Sequence, residues 1–174
     1  MGDPRRLHKR YKRPKHIFEK ARIEEEKEIL KKYGLKNMRE IWKAETEINR
    51  IRNQAKKLIL KPESQEEFFN RLIKIGLIKK GATIDDVLAL TKEQLLERRL
   101  QTILFKKGLA KTIKEARQLI THKKVKIGEN IVNIPSYIVK INEEDKISLI
   151  QKKEKHERKE KQPEATETRE EIEV

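Results

Sequence analysis

The sequence contains no cysteine among its 174 residues. This absence excludes a disulfide scaffold, a zinc site built on thiolates and a cysteine nucleophile. Aromatic residues make up 5% of the chain, and neither the G-x-G-x-x-G nor the G-x-x-x-x-G-K-[ST] phosphate-binding loop occurs. Because 42% of the residues are charged, we do not expect an enzyme with a deep apolar pocket, and no cofactor is indicated.

Long hydrophobic runs are also missing. No window approaches the roughly 18 apolar residues that a membrane-spanning helix needs. The N-terminus, MGDPRRLHKRYKRPKH, lacks the apolar stretch of a secretory signal. The sequence therefore predicts a soluble, cytoplasmic protein without a membrane partner.

Positive charge is abundant and unevenly distributed. The formal net charge is +15, and residues 1–22 hold nine Lys/Arg against two Asp/Glu. Residues 98–126 hold ten Lys/Arg against one carboxylate, Glu115. Blocks of one sign bind polyanions or anionic membrane surfaces, whereas an ordinary solvated surface mixes both signs. Nucleic acid or anionic lipid is therefore the first expected partner class.

Hydrophobic periodicity divides the chain into four segments. Residues 1–22 form a basic arm, and its first sixteen residues hold too few apolar side chains for a core, so we expect them to become ordered only on binding. Residues 23–92 show three-four apolar spacing, which predicts a helical region. Residues 93–151 are predicted to form a small domain of two helices and a β-hairpin, and residues 152–174 a charged, disordered tail. The predicted fold class is α+β.

Local signals place the elements within these segments. Capping pairs that predict helix starts are Asn37 with Glu40, Thr83 with Asp86, Thr91 with Gln94, and Thr112 with Glu115. The alternation in VKI-GEN-IVNI predicts a hairpin. We expect further strands at residues 137–139 and 147–150, separated by an acidic turn over residues 142–145.

The helix after Thr112 has two unlike faces. At 100° per residue, Ile113, Ala116, Leu119 and Ile120 share one side, which predicts a core face. The opposite face is a donor-rich strip, and we expect Arg117 on this strip to be exposed and free of structural contacts. A solvated face normally carries more carboxylates, so this strip is interpreted as an RNA contact rather than an ordinary polar surface.

Further donors lie around that strip. We expect Arg99 to lie off the buried stripe of the preceding helix, and His122 either donates to RNA or stabilises the helix C-terminus. The predicted RNA-binding residues are Arg5, Arg6, Lys9, Arg10, Lys12 and Arg13 in the arm, and Arg98, Arg99, Lys106, Lys107, Lys111, Lys114, Arg117, Gln118, Thr121, His122, Lys123, Lys124 and Lys126 in the small domain. No catalytic or metal-binding residue is predicted.

Two stretches resemble a known family. The run LLERRLQTILFKKGLAKTIKEARQLITHKKVKIGENIVNIPSYIV is similar to the small RNA-binding domain of ribosomal small-subunit protein four. The opening MGDPRRLHKRY and the run EEEKEILKKYGLKNMREIWKAE resemble the archaeal and eukaryotic branch of that family. The small domain also occurs in pseudouridine synthases and some aminoacyl-tRNA synthetases, so the N-terminal match supplies the ribosomal interpretation.

The resemblance implies a structural protein of the small (30S) subunit that binds the 5′ domain of 16S rRNA, nucleates assembly and borders the mRNA entry path. It also implies neighbouring ribosomal proteins, among them small-subunit protein five. In the matching motif, the resemblance implies that the family's RNA-contacting positions are occupied here by Arg99, Lys106, Arg117, Gln118, His122, Lys123 and Lys126. A related ribosome-biogenesis factor acting on pre-rRNA is the alternative. An RNA-modifying enzyme would need a second, catalytic domain for which the chain has no room.

Overall fold

The computed structural model describes residues 10–59 and 65–150. Over these residues the chain is a set of helices followed by two further helices and a small antiparallel sheet, which confirms the predicted α+β class. None of the described helices combines the length and the apolar character needed to cross a membrane. The predicted disorder of residues 152–174 concerns a segment outside the described residues.

The first part of the fold contains five helices. They are α1 (Lys20–Lys32), α2 (Met38–Leu58), α3 (Gln65–Ile75), α4 (Ile84–Leu88) and α5 (Lys92–Glu97). The three-four spacing of α2 places Ile41, Ala44, Ile48, Ile51 and Ala55 on one buried face. Helices α1, α4 and α5 pack against α2, which is therefore the central helix of this region.

Two predicted capping pairs form as expected, and a third does not. The backbone N–H of Thr83 donates to the Asp86 carboxylate at 2.8 Å, and that of Thr91 donates to the Gln94 side chain at 2.9 Å. Asn37 precedes α2 but makes no side-chain capping bond. Glu40 instead turns its carboxylate towards two arginines of the small domain.

The second part contains α6 (Leu100–Lys106), α7 (Ile113–Thr121), β1 (Val125–Ile127), β2 (Asn130–Ile131), α8 (Ile141–Glu144) and β3 (Ile147–Leu149). The strand order is β2-β1-β3, and both pairings are antiparallel. Lys126 pairs with Ile131 across the predicted hairpin, whose turn contains Gly128 at φ +61°. The hairpin prediction is therefore confirmed.

Two local predictions for this part need correction. Residues 137–139 are β-like, as predicted, but they do not join the sheet; the Leu100 N–H donates to the Tyr137 carbonyl at 2.8 Å and the Val139 N–H donates to the Arg98 carbonyl at 3.0 Å. This antiparallel bridge lies at the break between α5, which begins after Thr91, and α6. The expected acidic turn over residues 142–145 is replaced by the short helix α8 and the residue that follows it.

Buried side chains form two clusters, and the boundary between them lies between α5 and α6. The first cluster runs from Ile29 to Leu96, and the second runs from Leu100 to Ile147. Leu104, Ile120 and Val125 are completely buried in the second cluster, where α6 and α7 cover the sheet. Each part thus has its own core, so the surface where the two parts meet is free to carry polar contacts.

Candidate nucleic-acid interface

Helix α7 presents the two faces expected from its sequence. Ala116 and Ile120 have no exposed surface, whereas Lys114, Gln118 and Thr121 are exposed. The Thr112 hydroxyl accepts the N–H of Glu115 at 3.1 Å, and the Glu115 carboxylate accepts the backbone N–H of Lys111 at 2.7 Å. Glu115 is the single carboxylate of this helix, and among the described residues it forms no ion pair with a neighbouring cation.

The end of α7 adds further exposed cations. His122, Lys123 and Lys124 follow the helix directly and are all exposed, and Lys126 lies half-buried on β1. In the described part of the chain, the ammonium groups of Lys111, Lys114, Lys123 and Lys124 form no ion pair; we call these four residues the lysine row. The lysine row places exposed cations of one sign before, on and after α7, an arrangement that suits a polyanionic backbone.

Lys123 occupies an unusual backbone position. Its φ is +58°, the left-handed conformation in which helices usually place glycine. The N–H groups of Lys123 and Lys124 donate to the carbonyls of Ile120 and Leu119, both at 3.0 Å, and so close the helix. A lysine here costs the fold about 1 kcal/mol relative to an unstrained residue, which points to a function for its ammonium group.

We therefore expect Lys123→Gly to separate folding from binding. The variant relieves the left-handed strain and should raise the free energy of unfolding by up to about 1 kcal/mol, while weakening RNA binding through the lost charge. Urea unfolding and RNA titration in one buffer measure the two effects. Lys124→Gly is the matched control, because it removes the neighbouring charge without relieving a positive φ. It should lower both the free energy of unfolding and the affinity for RNA. A less stable Lys123→Gly protein would contradict this account.

The turn between α6 and α7 only partly fits its predicted role. Lys106 pairs with Glu97 at 3.1 Å. Lys107 donates to the Glu144 carbonyl and lies 3.7 Å from the Asp145 carboxylate. Of the predicted donors around this turn, Lys111 belongs to the lysine row, while Lys106 and Lys107 already have partners within the protein.

Arg98 and Arg99 are not exposed donors, so that expectation is wrong. The Arg98 guanidinium donates to the carbonyls of Ile75 and Val139, at 2.9 and 3.2 Å, and to Glu144 at 3.0 Å. The Arg99 side chain is only 7% exposed and pairs with Glu40 at 2.6 Å. Through these bonds both arginines join the helical region to the small domain. Their backbone lies in the bridge that separates α5 from α6.

Arg117 also has structural partners, contrary to expectation. Its Nη2 donates to Glu40 at 2.9 Å, and its Nη1 donates to Gln101 at 3.2 Å. The buried Gln101 amide in turn donates to the carbonyls of Tyr33, Gly34 and Ile113 at 3.1 to 3.3 Å. The Arg117 side chain keeps 26% exposure, so it forms one edge of the interface while also stabilising the junction.

The arm is not free in the described residues. The Tyr11 ring lies 6.0 Å from the Trp42 ring, and the Lys12 N–H donates to the Thr46 hydroxyl at 3.1 Å. The expectation that the arm is ordered only on binding is therefore wrong from Tyr11 onwards. Arg10, Lys12 and Arg13 are exposed along this docked segment. The predicted contacts of Arg5, Arg6 and Lys9 lie outside the described residues.

A cleft of about 680 Å³ lies where the arm, α2 and the small domain meet. We call it the junction cleft. Its exposed cations are Arg10, Arg39, Lys43 and Arg50, and the Glu40 cluster with Arg99 and Arg117 forms part of its wall. The charge count missed Arg39, Lys43 and Arg50, because residues 23–97 as a whole hold sixteen Lys/Arg against fourteen Asp/Glu. The helical spacing of residues 39, 43 and 50 was the available signal.

Other chemistries find no support in the described structure. Within residues 10–59 and 65–150, no group of three His, Asp or Glu side chains could hold a metal ion. Asp86 serves as a helix cap, as its position after Thr83 predicts. The described residues of this surface thus offer cations and amide donors.

The sequence of the chain is similar to those of known small ribosomal subunit proteins. Residues 98–145 match the S4 domain family, a range that covers α6, α7 and the hairpin. The chain is 49% identical over 156 residues to small ribosomal subunit protein uS4 of Methanococcus aeolicus, covering 86% of this chain and 88% of that protein. It is 47% identical over 153 residues to the uS4 protein of Saccharolobus solfataricus, covering 84% of each chain. The corresponding protein of Methanothermobacter thermautotrophicus is 43% identical over 154 residues, covering 86% of this chain and 90% of that one. The chain therefore belongs to the uS4 family of small ribosomal subunit proteins.

Proposed function

We propose that this protein is a structural RNA-binding component of the small ribosomal subunit. It binds the 5′ domain of 16S rRNA, helps to nucleate assembly of the subunit and borders the mRNA entry path, with small-subunit protein five among its neighbours. The relatives' name, small ribosomal subunit protein, supports the ribosomal assignment. The protein acts by binding in the cytoplasm, without a cofactor, a small-molecule substrate or a catalytic residue.

The lysine row is the observation that carries this proposal. Its four ammonium groups have no ion pair in the described chain and extend over α7 and the turns at its two ends. Phosphate contacts of this kind fix the position and orientation of a protein on RNA. Gln118 and Thr121 lie on the same exposed face and add neutral donors for sugar or base edges.

The junction cleft supplies a second set of exposed cations, formed by residues other than the lysine row. The Glu40 pairs with Arg99 and Arg117 join the helical region to the small domain. RNA helices are recognised largely through shape and phosphates. A protein with two separate cationic surfaces therefore favours a folded RNA junction over a single unstructured strand.

Crosslinking of the protein to total cellular RNA tests the proposal. We expect most crosslinks to fall in the 5′ domain of small-subunit rRNA, and the protein to co-sediment with mature small subunits. Recovery only with pre-rRNA particles would instead assign a biogenesis role. Crosslinks mainly outside small-subunit rRNA would overturn the ribosomal proposal itself.

A further inference from the structure

Phe18 is the most exposed large apolar side chain in the described chain. It is 91% exposed, against 38% for Phe105, and the neighbouring Ile17 is 53% exposed. Phe68 is buried in the first core and Phe69 packs against it. An aromatic ring left in water gains no burial energy in the free protein, and a partner that covers it would gain that energy.

The backbone that carries Phe18 is held in place. Arg22 Nη2 donates to the carbonyls of His16 and Ile17, at 3.0 and 2.9 Å, and so closes the turn ahead of α1. Arg22 is itself anchored, because its Nη1 pairs with Glu26 at 2.6 Å. Glu26 is 3% exposed and also accepts the Trp42 indole N–H at 3.1 Å. Phe18 therefore projects from a fixed turn. A partner that binds it does not have to order the backbone, so little conformational entropy is lost on binding.

The surroundings of the ring are strongly basic. Residues 10–22 contain six Lys/Arg and one carboxylate, Glu19, whose side chain lies 4.0 Å from the Arg22 Nε. Lys12, Arg13, Lys15 and Lys20 are all exposed around the turn. Charge complementarity thus favours a polyanion that also offers flat apolar surface, and an unpaired RNA base beside its phosphates has both features.

A membrane surface fits this segment less well. A membrane-binding helix needs a broad apolar face that is free of the core. The apolar side chains Ile29 and Leu30 of α1 contribute to the first core, and the exposed residues of α1 are mainly charged. Phe18 and Ile17, with the half-buried Ile23, leave too little free apolar surface for a lipid anchor.

We infer that Phe18 is a stacking platform for an unpaired base of the ribosomal RNA, with the neighbouring cations contacting the phosphates on either side of that base. This inference rests on the proposed function and adds to it a specific contact outside the S4 domain. The docked segment from Tyr11 to Lys12 connects the platform to Arg10 in the junction cleft. The platform would thus extend the RNA path from the cleft along the arm.

Substitutions of Phe18 that remove or keep an aromatic ring, made in the full chain, test the inference. With a transcript of the 16S rRNA 5′ domain as the probe, Phe18→Leu and Phe18→Ala should weaken binding by about 5- to 100-fold. Phe18→Tyr and Phe18→Trp should bind like the wild type, because they keep a ring that can stack. All four variants should melt at the wild-type temperature, since the side chain is almost fully exposed.

Two controls make the result specific. Phe105→Leu changes the other exposed phenylalanine of the described chain and should leave RNA binding unchanged. The slope of log affinity against log salt should be the same for Phe18→Leu as for the wild type, because stacking releases no counterions.

The possible failures are distinguishable. If the wild type binds the transcript and Phe18→Leu binds equally well, the stacking inference is overturned and the proposed function stands. Loss of binding to anionic vesicles by Phe18→Ala, without an effect on RNA, would assign the ring to a membrane and also overturn it. If the wild type fails to bind the transcript, both the proposed function and the inference are wrong.

Discussion

Glu40→Ala is expected to lower the free energy of unfolding by about 3 kcal/mol, because it leaves two guanidinium groups without their shared carboxylate. Glu40 accepts from Arg99 at 2.6 Å and from Arg117 at 2.9 Å. The three side chains are 17%, 7% and 26% exposed, so water replaces the lost partner poorly, especially at Arg99. Urea denaturation of the full chain, followed by circular dichroism, measures the loss.

Glu47→Ala provides the matched control. Glu47 lies on the same helix and also lines the junction cleft, but it pairs with Arg50 at 3.2 Å through side chains that are 47% and 59% exposed. An exposed pair of this kind contributes at most about 1 kcal/mol. Equal losses for Glu40→Ala and Glu47→Ala would show that the Glu40 cluster does not hold the junction together.

The same cluster makes stability depend on pH. Burial alone would raise the pKa of Glu40, but hydrogen bonds from Arg117 and Arg99 outweigh it and hold the pKa below its ordinary value of 4.5. A carboxylate with a lowered pKa in the folded state stabilises the protein above its unfolded pKa, and this contribution disappears as pH falls through the folded pKa. Stability should therefore fall below about pH 4.5, and Glu40→Gln should show a shallower acid dependence than the wild type.

The Glu40 cluster also shows why sequence patterns mispredicted Arg99 and Arg117. Periodicity reports which residues share a face of one helix, and it placed Arg117 outside the core face that contains Ala116 and Ile120. It carries no information about a partner 59 or 77 residues away, and these are the separations of Arg99 and Arg117 from Glu40. Glu40 itself matched a capping pattern, so its local explanation concealed its distant partners.

Short-range signals were reliable where the interactions they describe are local. The Thr112 cap, the core face of α7 and the hairpin around Gly128 depend on residues only a few positions apart, and all three form as predicted. The break between α5 and α6 depends on Tyr137 and Val139, whose backbone groups bond to the backbone near Arg98 although they lie much later in the chain. No pattern within residues 92–106 indicates that pairing.

The junction cleft illustrates a different limit. Net charge over a long segment cannot reveal Arg39 and Lys43, because residues 23–97 as a whole hold sixteen Lys/Arg against fourteen Asp/Glu. Only the packing of the arm and the small domain against α2 places Arg10 beside them. Charge counts thus identified the lysine row, where the sign is uniform along the chain, and missed a surface assembled from three separate segments.

RNA binding should depend on salt more strongly than any single contact would allow. If the lysine row, the junction cleft and the arm together neutralise about six to ten phosphates, log affinity should fall against log salt with a slope of about −5 to −8. Affinity for the 16S 5′ domain transcript should then drop by about 1,000-fold or more between roughly 50 and 200 mM salt. Filter binding at several salt concentrations measures the slope, and a slope shallower than about −2 would contradict the electrostatic account.

A charge-matched pair of triple variants should assign part of this slope to the lysine row. Replacement of Lys114, Lys123 and Lys124 by alanine should make the slope shallower by about 2 to 3, since about 0.7 to 0.9 counterion is released per phosphate contact. Replacement of the exposed Lys74, Lys79 and Lys80, on and after α3, removes the same charge outside the proposed interface and should leave the slope nearly unchanged. If both triple variants changed the slope equally, binding would follow net charge alone, and the lysine row could not be the RNA contact.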